Sequence, residues 1–267
     1  MTKISAKRVL ITGGASGIGK LMGKECLLKG AKKLIIWDVN EEVLKSTTKE
    51  FISNGYEVSP YLVDVSCLDQ IQKAADHVLQ NGAIDILINN AGIVIGKPFH
   101  HQEAVSITKT LAINVEGVMQ ITRVFLPAMI AQKSGHVVNI ASAAGMMSNP
   151  NMSVYVGSKW AVIGWSESLR IELESLAQDL HVTTVTPGYI DTGMFDGVKS
   201  RLLPMLKPEA IVDYIIKGVE KNKLFVRKPF MLNSLTFVKG ILPTRVFDWF
   251  VGKVLGVYNS MDDFKGH

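Results

Sequence analysis

A tyrosine and a lysine stand four residues apart within a helical pattern of this 267-residue chain. In the segment Tyr155-Val-Gly-Ser-Lys159 the two side chains share one helix face, because residues four apart are neighbours one turn away. An ammonium near a phenol favours the phenolate and lowers the tyrosine pKa from its ordinary value of about 10. We therefore expect Tyr155 to exchange a proton with a hydroxyl group. The same spacing also arises by chance in helices.

Two other polar residues lie in apolar surroundings. Ser142 follows Asn139-Ile-Ala, thirteen residues before Tyr155. A hydroxyl at Ser142 can hold a substrate oxygen and stabilise charge on it, or it can serve as a turn or capping serine. Asn114 interrupts an apolar helical run, where an unbonded buried amide would cost about 1–3 kcal/mol. We expect Asn114 to be bonded within the site.

A glycine-rich segment follows the first apolar run, with the spacing G-x-x-x-G-x-G. Glycines let the backbone turn tightly and approach a pyrophosphate that faces the positive end of the next helix. Such a turn can also connect a strand to a helix without any nucleotide. The predicted cofactor contacts in this segment are Gly13, Ser16, Gly17, Ile18 and Gly19.

A carboxylate ends the second apolar run, about twenty residues after the glycines. There Asp38 can accept hydrogen bonds from an adenosine ribose. Its charge would repel a 2′-phosphate, and neither Val39 nor Ser16 supplies a cation, so NAD(H) is favoured over NADP(H). The alternative is that Asp38 caps the helix that begins near Glu41.

Short apolar runs alternate with longer helical patterns along the chain. The runs are nearly continuous rather than alternating, which predicts strands buried on both faces of a parallel sheet. We therefore expect one Rossmann-like α/β domain, a doubly wound parallel sheet of about seven strands with helices on both faces. The predicted strands are 8–12, 33–38, 58–63, 84–89, 135–140 and 182–185, and the predicted helices are 18–30, 41–54, 68–80, 103–133 and 154–180.

These motifs, in this order, resemble those of the short-chain dehydrogenase/reductase superfamily. The resemblance covers residues 8–195 and includes TGGASGIG at 12–19, Asp64-Val65 and Asn89-Asn-Ala-Gly92. It implies that Asp64 and Val65 contact the adenine of a dinucleotide. It also implies that Asn90, Ala91 and Gly92 line the cofactor while their segment steadies the central sheet.

The resemblance also implies roles near the nicotinamide. It gives proton transfer to Tyr155, ribose contact and pKa tuning to Lys159, and substrate orientation to Ser142. It implies that Asn114 helps to hold a water molecule in the proton path. Gly157 stands where many members have alanine. The segment Pro187-Gly-Tyr-Ile-Asp-Thr192 resembles the loop that contacts the nicotinamide, which adds the cofactor contacts Pro187, Gly188, Ile190 and Thr192.

A lid over the substrate is predicted within residues 188–207. Its apolar residues indicate an apolar pocket, although they can also anchor a surface loop. We divide the chain into a catalytic domain at 1–228 and a C-terminal extension at 229–267 that is not an independent domain. The apolar lid residues are Met194, Phe195, Leu202, Leu203, Met205 and Leu206.

The C-terminal region carries the net charge of the chain. Nine basic and four acidic residues lie within 217–267 and account for the formal net charge of +5, which argues against a nucleic-acid-binding body. Apolar residues at helical spacing flank Pro243, with basic residues between them. Such segments pack on the domain or on a second subunit, or lie on an anionic bilayer. This region is similar to that of the retinol dehydrogenase and 17-β-hydroxysteroid dehydrogenase branch, without the N-terminal hydrophobic anchor common there.

Together these features predict an NAD(H)-dependent oxidoreductase that moves hydride between a nicotinamide and an alcohol/carbonyl pair. The predicted substrate is apolar, of retinoid, steroid or fatty-alcohol type. An NADPH-dependent carbonyl reductase is the alternative among enzymes, and a non-catalytic nucleotide-binding scaffold or sensor is the alternative of another class. The resemblance implies a homodimer or homotetramer joined through helices 103–133 and 154–180.

Several expected absences complete the interpretation. No metal is expected, since His100 and His101 are adjacent and no cluster has ligand spacing. The chain shows no secretory signal and no apolar run of about 20 residues, so we expect a cytoplasmic protein, at most peripheral to a membrane. Cys26 and Cys67 are expected to be small buried core residues in a reducing compartment.

Overall fold

The computed structural model describes residues 1–198, 200, 204–254, 256–261 and 263–266. Within them, seven parallel strands form one sheet in the order β3-β2-β1-β4-β5-β6-β7. The predicted doubly wound fold is confirmed. The strands are β1 Arg8–Thr12, β2 Lys33–Asp38, β3 Val58–Leu62, β4 Ile86–Asn89, β5 Ser134–Ile140, β6 Asp179–Pro187 and β7 Phe225–Lys228.

Helices cover both faces of the sheet. Residues of α1, α2 and α7 form one buried apolar cluster with one face of the strands, and residues of α3, α5 and α6 form a second cluster with the other. The helices are α1 Gly17–Leu28, α2 Glu41–Ser53, α3 Leu68–Gln80, α4 Ala104–Leu111, α5 Val118–Ala131, α6 Ser153–Ser175, α7 Pro208–Glu220, α8 Leu232–Ile241 and α9 Thr244–Phe247.

Central strands read as continuous apolar runs because both of their faces are covered. In β1, Val9 and Ile11 belong to one cluster and Leu10 to the other, and none of the three is exposed. The edge strand β3 differs from this prediction. It is half-buried, and Leu62 is 53% exposed, because only one neighbouring strand and less helix surface cover it.

Some predicted boundaries are wrong. The helix predicted at 154–180 ends at Ser175, because Ala177 takes a positive φ of 52° and Asp179 begins β6. The helix predicted at 103–133 is α4 and α5 joined by a π-helical turn, Ala112–Gly117. Cys26 is buried as predicted, whereas Cys67 is partly exposed at the N-cap of α3.

The strand order reverses between β1 and β4, where the carboxyl ends of neighbouring strands diverge. Buried asparagines join the sheet to the helices beside this point. Asn89 Nδ2 donates to Thr122 Oγ1 and to Asn139 Oδ1, and Asn139 Nδ2 donates to Ser166 Oγ at 2.9 Å. These bonds fix α5 and α6 against β4 and β5, which positions the residues at the strand ends.

After β7 the chain packs against a third apolar cluster. Leu232, Leu235, Phe247 and Val251 are buried there together with Tyr155. A π-helical turn at Asp248–Val254 and a 3₁₀ turn at Val257–Asn259 complete this region. Across the described residues no helix has both the length and the apolar character that crossing a bilayer demands. The domain boundary at 228 stays a prediction.

Candidate active site

A crevice of about 360 Å³ opens at the carboxyl ends of the central strands, beside the reversal of strand order. Of the predicted site residues, all but Gly19 and Asn114 line it. The lining residues are Gly13, Ser16, Gly17, Ile18, Trp37, Asp38, Val39, Val63, Asp64, Val65, Asn90, Ala91, Gly92, Ile93, Ile113, Ile140, Ala141, Ser142, Tyr155, Lys159, Pro187, Gly188, Ile190, Thr192, Met194 and Phe195.

The glycine turn needs its glycines at three positions. Gly13 and Gly17 have positive φ angles of 60° and 51°, which side chains disfavour. Gly19 lies beneath the turn rather than on the crevice wall. A Cβ added at Gly19 would be 2.1 Å from Gly13 O and 2.6 Å from Asn90 Nδ2. Glycine at 19 therefore lets the start of α1 lie against the turn, with its amino end at the crevice.

The segment after β4 holds the glycine turn in place. Asn90 Nδ2 donates to Thr12 O and Gly13 O, both at 3.0 Å. Thr12 Oγ1 accepts from Asn90 N at 3.0 Å and from Ala91 N at 3.1 Å. The sequence analysis did not assign Thr12 a role, although a hydroxyl at the end of a buried apolar strand was a usable signal.

Asp38 joins two loops at the end of β2. Its Oδ2 accepts from Ala15 N and its Oδ1 from Asn40 N, both at 3.0 Å. Asn40, not Asp38, is the N-cap of α2, and its side chain accepts from Val43 N at 3.1 Å. The alternative that Asp38 caps this helix is therefore wrong. Its carboxylate is fixed at the crevice wall.

Asp64 and Val65 lie on the same wall, after β3. Asp64 Oδ1 accepts from Ser66 N at 2.9 Å and from Ser66 Oγ at 2.6 Å, which turns the chain there. The π-helical turn approaches closely at Gly117, where an added Cβ would lie 2.5 Å from Val65 O. Glycine at 117 thus allows the helix that carries Asn114 to pack directly behind this wall.

Tyr155 and Lys159 lie together in the deepest part of the crevice, each 5% exposed. The Lys159 Nζ atom is 5.7 Å from the Tyr155 ring centroid and donates to Ile140 O at 2.9 Å. Burial lowers the pKa of Lys159 to about 8. Burial also raises the pKa of Tyr155 to about 12, opposed by a hydrogen bond with Ser142. The expected lowering of the Tyr155 pKa is therefore not found in the chain by itself, because the effect of burial exceeds the opposing effect of Ser142.

Ser142 is the capping serine of one of its two predicted interpretations, and its contact with a substrate oxygen stays a prediction. Its Oγ accepts from Ala144 N at 3.1 Å and so caps the 3₁₀ turn Ala143–Gly145. The Ser142 side chain also lies near the Tyr155 phenol, whose pKa it lowers against the larger effect of burial. The cap thus fixes a hydroxyl beside the phenol, and a substrate oxygen can meet both groups at once.

Asn114 is fully buried behind the crevice. Its Oδ1 accepts from Ile93 N and its Nδ2 donates to Ile93 O, both at 2.9 Å. Nδ2 also donates to Ser158 Oγ at 3.1 Å, and Ser158 Oγ donates to Tyr155 O at 2.7 Å. Asn114 therefore ties the loop after β4 to the helix that carries the tyrosine. That Asn114 helps to hold a water molecule in the proton path stays a prediction.

The substrate side of the crevice is apolar and aromatic. The ring of Phe195 lies edge-on to Tyr155 and to Tyr189, with centroids 6.3 Å and 5.2 Å apart. Both Met194 and Phe195, predicted in the lid, line the crevice. Leu202 and Leu203, predicted with them, lie outside the described residues. At the C-terminal end of the predicted lid, Leu206 N donates to Tyr189 O at 2.8 Å.

A polar cluster behind Ser142 was missed by the sequence analysis. Asn149 Nδ2 donates to Tyr189 Oη and to Ser260 Oγ, both at 3.0 Å, and Tyr189 Oη lies 2.9 Å from Ser260 Oγ. Ser260 Oγ also donates to Val257 O at 2.7 Å. These residues are up to 111 positions apart, so no local pattern could have connected them. They join the loops after β5 and β6 to the C-terminal region.

Metal ligands do not cluster within the described part of the chain, where no group of three or more His, Cys, Asp or Glu side chains could hold an ion. His100 and His101 lie on an exposed 3₁₀ turn, Phe99–His101, with ring centroids 4.1 Å apart.

Comparison with known proteins agrees with this geometry. The sequence profile of the family described as short chain dehydrogenase matches residues 7–202. Epidermal retinol dehydrogenase 2 of Mus musculus is 36% identical over 98% of this chain and 86% of its own length. Estradiol 17-beta-dehydrogenase 11 of Rattus norvegicus is 33% identical over 92% of this chain and 83% of its own length.

Among solved structures, a short-chain dehydrogenase/reductase from Burkholderia phymatum, crystallised in complex with NAD, superposes with a TM-score of 0.80. It is 27% identical, and the match covers 88% of this chain and 93% of that one. The profile match and the similarity to full-length relatives agree with the predicted resemblance. The chain is an oxidoreductase of the short-chain dehydrogenase family, on the branch of the retinol and 17-β-hydroxysteroid dehydrogenases.

Proposed function

We propose that this protein is an NAD(H)-dependent oxidoreductase that interconverts an apolar alcohol and its carbonyl compound. One observation carries the proposal. Ser142 and Tyr155, with buried Lys159 beside the phenol ring, share one crevice with the glycine turn and Asp38. A group for proton transfer thus lies at one end of a crevice whose other end suits a dinucleotide.

The crevice fits a nicotinamide dinucleotide on the geometry of the glycine turn. The positive φ angles of Gly13 and Gly17, and the lack of room for a Cβ at Gly19, leave backbone amides and the amino end of α1 open to a pyrophosphate. Asp38 would hold the adenosine ribose, and Asp64 with Val65 the adenine. When bound, the nicotinamide accepts or supplies the hydride.

Proton transfer falls to Tyr155. In reduction, Tyr155 Oη donates its proton to the carbonyl oxygen as the carbon gains hydride, and in oxidation it takes the hydroxyl proton. Ser142 Oγ holds the same oxygen and stabilises charge that develops on it. Lys159, while protonated, favours the phenolate left after donation, because its ammonium lies in the same buried volume.

The proposal of an apolar substrate is based on the residues that line the crevice beyond Tyr155. Met194 and Phe195 line the crevice there. Met147, Met152 and Val257 line a small side cavity behind Ser142. Such walls favour a hydrocarbon body over a sugar or polyol. The names of the retinol and estradiol dehydrogenase relatives support the same class. A turnover screen should rank retinoids, steroids and long-chain alcohols above polyols.

The preference for NAD(H) rests on Asp38. Among described residues of the crevice wall only Lys159 is basic, and it belongs to the Tyr155 end. We expect kcat/KM with NADH to exceed that with NADPH by at least tenfold, because a 2′-phosphate would meet the Asp38 carboxylate. A preference for NADPH would favour the carbonyl reductase alternative and defeat this argument.

Tyr155→Phe tests the whole assignment. It removes the proton donor and keeps the ring, so turnover should fall by at least a factor of about 100 while NADH binding changes little. Tyr214→Phe, on α7, is the matched control and should behave like the wild type. Near-normal turnover in Tyr155→Phe would remove the proposed role. A wild-type chain that binds NADH but turns over no tested alcohol or ketone would support the scaffold alternative.

We also propose that the chain forms a homodimer or homotetramer through α4, α5 and α6, as the family resemblance implies. Large apolar side chains are exposed on α4 and α6, with Val105 67% and Ile171 59% exposed. Light scattering of the purified protein would measure the assembly. A monomer at all concentrations would end this proposal.

A further inference from the structure

The helices after β7 have an apolar inner face that covers the substrate side of the crevice. Leu232 and Leu235 of α8, with Phe247 of α9 and Val251 of the following π-helical turn, are each less than 10% exposed. All four pack in the cluster that contains Tyr155. This inner face accounts for the packing that the sequence pattern predicted.

The outer face of the same helices is also apolar, which packing within the domain does not explain. Eight large apolar side chains between residues 230 and 254 are exposed, and we call six of them the tail surface. They are Phe230 (75% exposed), Phe237 (71%), Ile241 (63%), Trp249 (60%), Val254 (49%) and Phe250 (45%). Exposed apolar side chains that lie together on one surface mark an interaction site.

Helical spacing places these residues opposite the buried ones. Phe237 and Ile241 are four apart on α8, and Phe250 and Val254 are four apart on the π-helical turn. Since the inner sides of both segments pack on one cluster, their outer sides point away from it together. The tail surface therefore forms one side of the molecule.

The charges around the tail surface are mainly positive. Arg245 and Lys253 are exposed among its residues, and Lys239 Nζ lies 4.2 Å from the centre of the Trp160 ring at its margin. The acidic Asp248 accepts a hydrogen bond from Tyr258 Oη at 2.5 Å. Exposed aromatic rings interspersed with cations match the chemistry of an anionic lipid headgroup region.

We propose that the tail surface docks the protein peripherally on an anionic bilayer. A second copy of the chain fits less well, because a two-fold contact would bring the Arg245 and Lys253 side chains of one copy toward those of the other. Docking would also place the bilayer on the outer side of the helices that cover the crevice. An apolar substrate dissolved in the lipid would then lie close to its pocket.

Vesicle co-sedimentation of the full-length protein tests this proposal without measuring turnover, so its failure leaves the proposed enzymatic function standing. The probes are phosphatidylcholine vesicles and vesicles that also contain phosphatidylserine. We expect the wild type to bind the mixed vesicles. Phe237→Glu with Trp249→Glu should weaken that binding at least tenfold. Ile52→Glu with Leu28→Glu, at residues 53% and 61% exposed on α2 and α1, adds the same two charges away from the tail surface and should bind almost as the wild type does.

A second pair of variants separates charge from apolar contact. Arg245→Gln with Lys253→Gln should weaken binding to phosphatidylserine vesicles by about fivefold per residue and leave pure phosphatidylcholine vesicles unaffected. Thermal melts and NADH binding check that the variants fold. Absence of wild-type binding, or full binding by Phe237→Glu with Trp249→Glu, would overturn the proposal. Vesicle-independent self-association that this double variant abolishes would assign the surface to a second copy.

Discussion

Gly19→Ala is the substitution whose effect the structure defines most directly. The new methyl group would lie 2.1 Å from Gly13 O, where ordinary contacts begin near 3.4 Å, so the glycine turn must move by roughly 1 Å. Neither neighbour is a flexible side-chain end, because Gly13 O is backbone and Asn90 Nδ2 is bonded to Thr12 O and Gly13 O. Overpacking of this kind costs about 1–3 kcal/mol.

Two measurements check this prediction. The melting temperature should fall by about 2–4 °C for each kcal/mol of unfolding free energy that is lost in a chain of this size. Fluorescence titration should show NADH binding weakened at least tenfold, because the displaced turn is the part that approaches the pyrophosphate. Gly157→Ala is the matched control, since nothing lies within 4 Å of a Cβ there, and alanine in the α6 helix should stabilise by about 0.5–1 kcal/mol. Wild-type NADH affinity in Gly19→Ala would refute the placement of the cofactor at this turn.

Two further predictions concern Lys159 and Asn114. Burial lowers the Lys159 pKa to about 8, so its ammonium is present below that pH and lost above it. The kcat/KM for carbonyl reduction should therefore fall as pH rises through about 8, and Lys159→Arg, which stays charged, should lack this decline in its residual activity. Asn114→Leu leaves Ile93 N and Ile93 O without their partner, so calorimetry should show a loss of about 1–3 kcal/mol for each group; an unchanged melting temperature would contradict the bonding described.

Much of the fold could be predicted because its strands are buried on both faces. The run Val9-Leu-Ile11 supplies apolar side chains to two clusters at once, and no surface element would carry such a run. The ends of strands were equally informative, since glycine, asparagine and aspartate there interrupt apolar patterns. Boundaries were harder where tertiary context decides, as at Ala177, whose positive φ ends a helix that its neighbours in sequence would continue.

Other features could not be read from local patterns. The strand β7, Phe225–Lys228, and the helix α7 before it were not placed, because a strand of four residues is too short for a clear apolar pattern. The sequence suggested that an ammonium would dominate the Tyr155 pKa, whereas burial of the phenol has the larger effect. The Tyr155 ring is buried by Phe195 and by residues after β7, and the spacing of residues in the sequence does not predict that these lie beside Tyr155.

The hydrogen bonds among Asn149, Tyr189 and Ser260 mean that the C-terminal region cannot be replaced by that of another protein without affecting two loops of the domain. Tyr189 belongs to the loop after β6 that lines the crevice, and Asn149 follows the turn that Ser142 caps. Ser260 is therefore bonded to two segments that lie beside the crevice. A chimera that receives the C-terminus of a relative would keep two polar groups in an apolar pocket without their third member. In this protein the three distant segments are therefore coupled, and transplanting a new specificity into it would require exchanging all of them together.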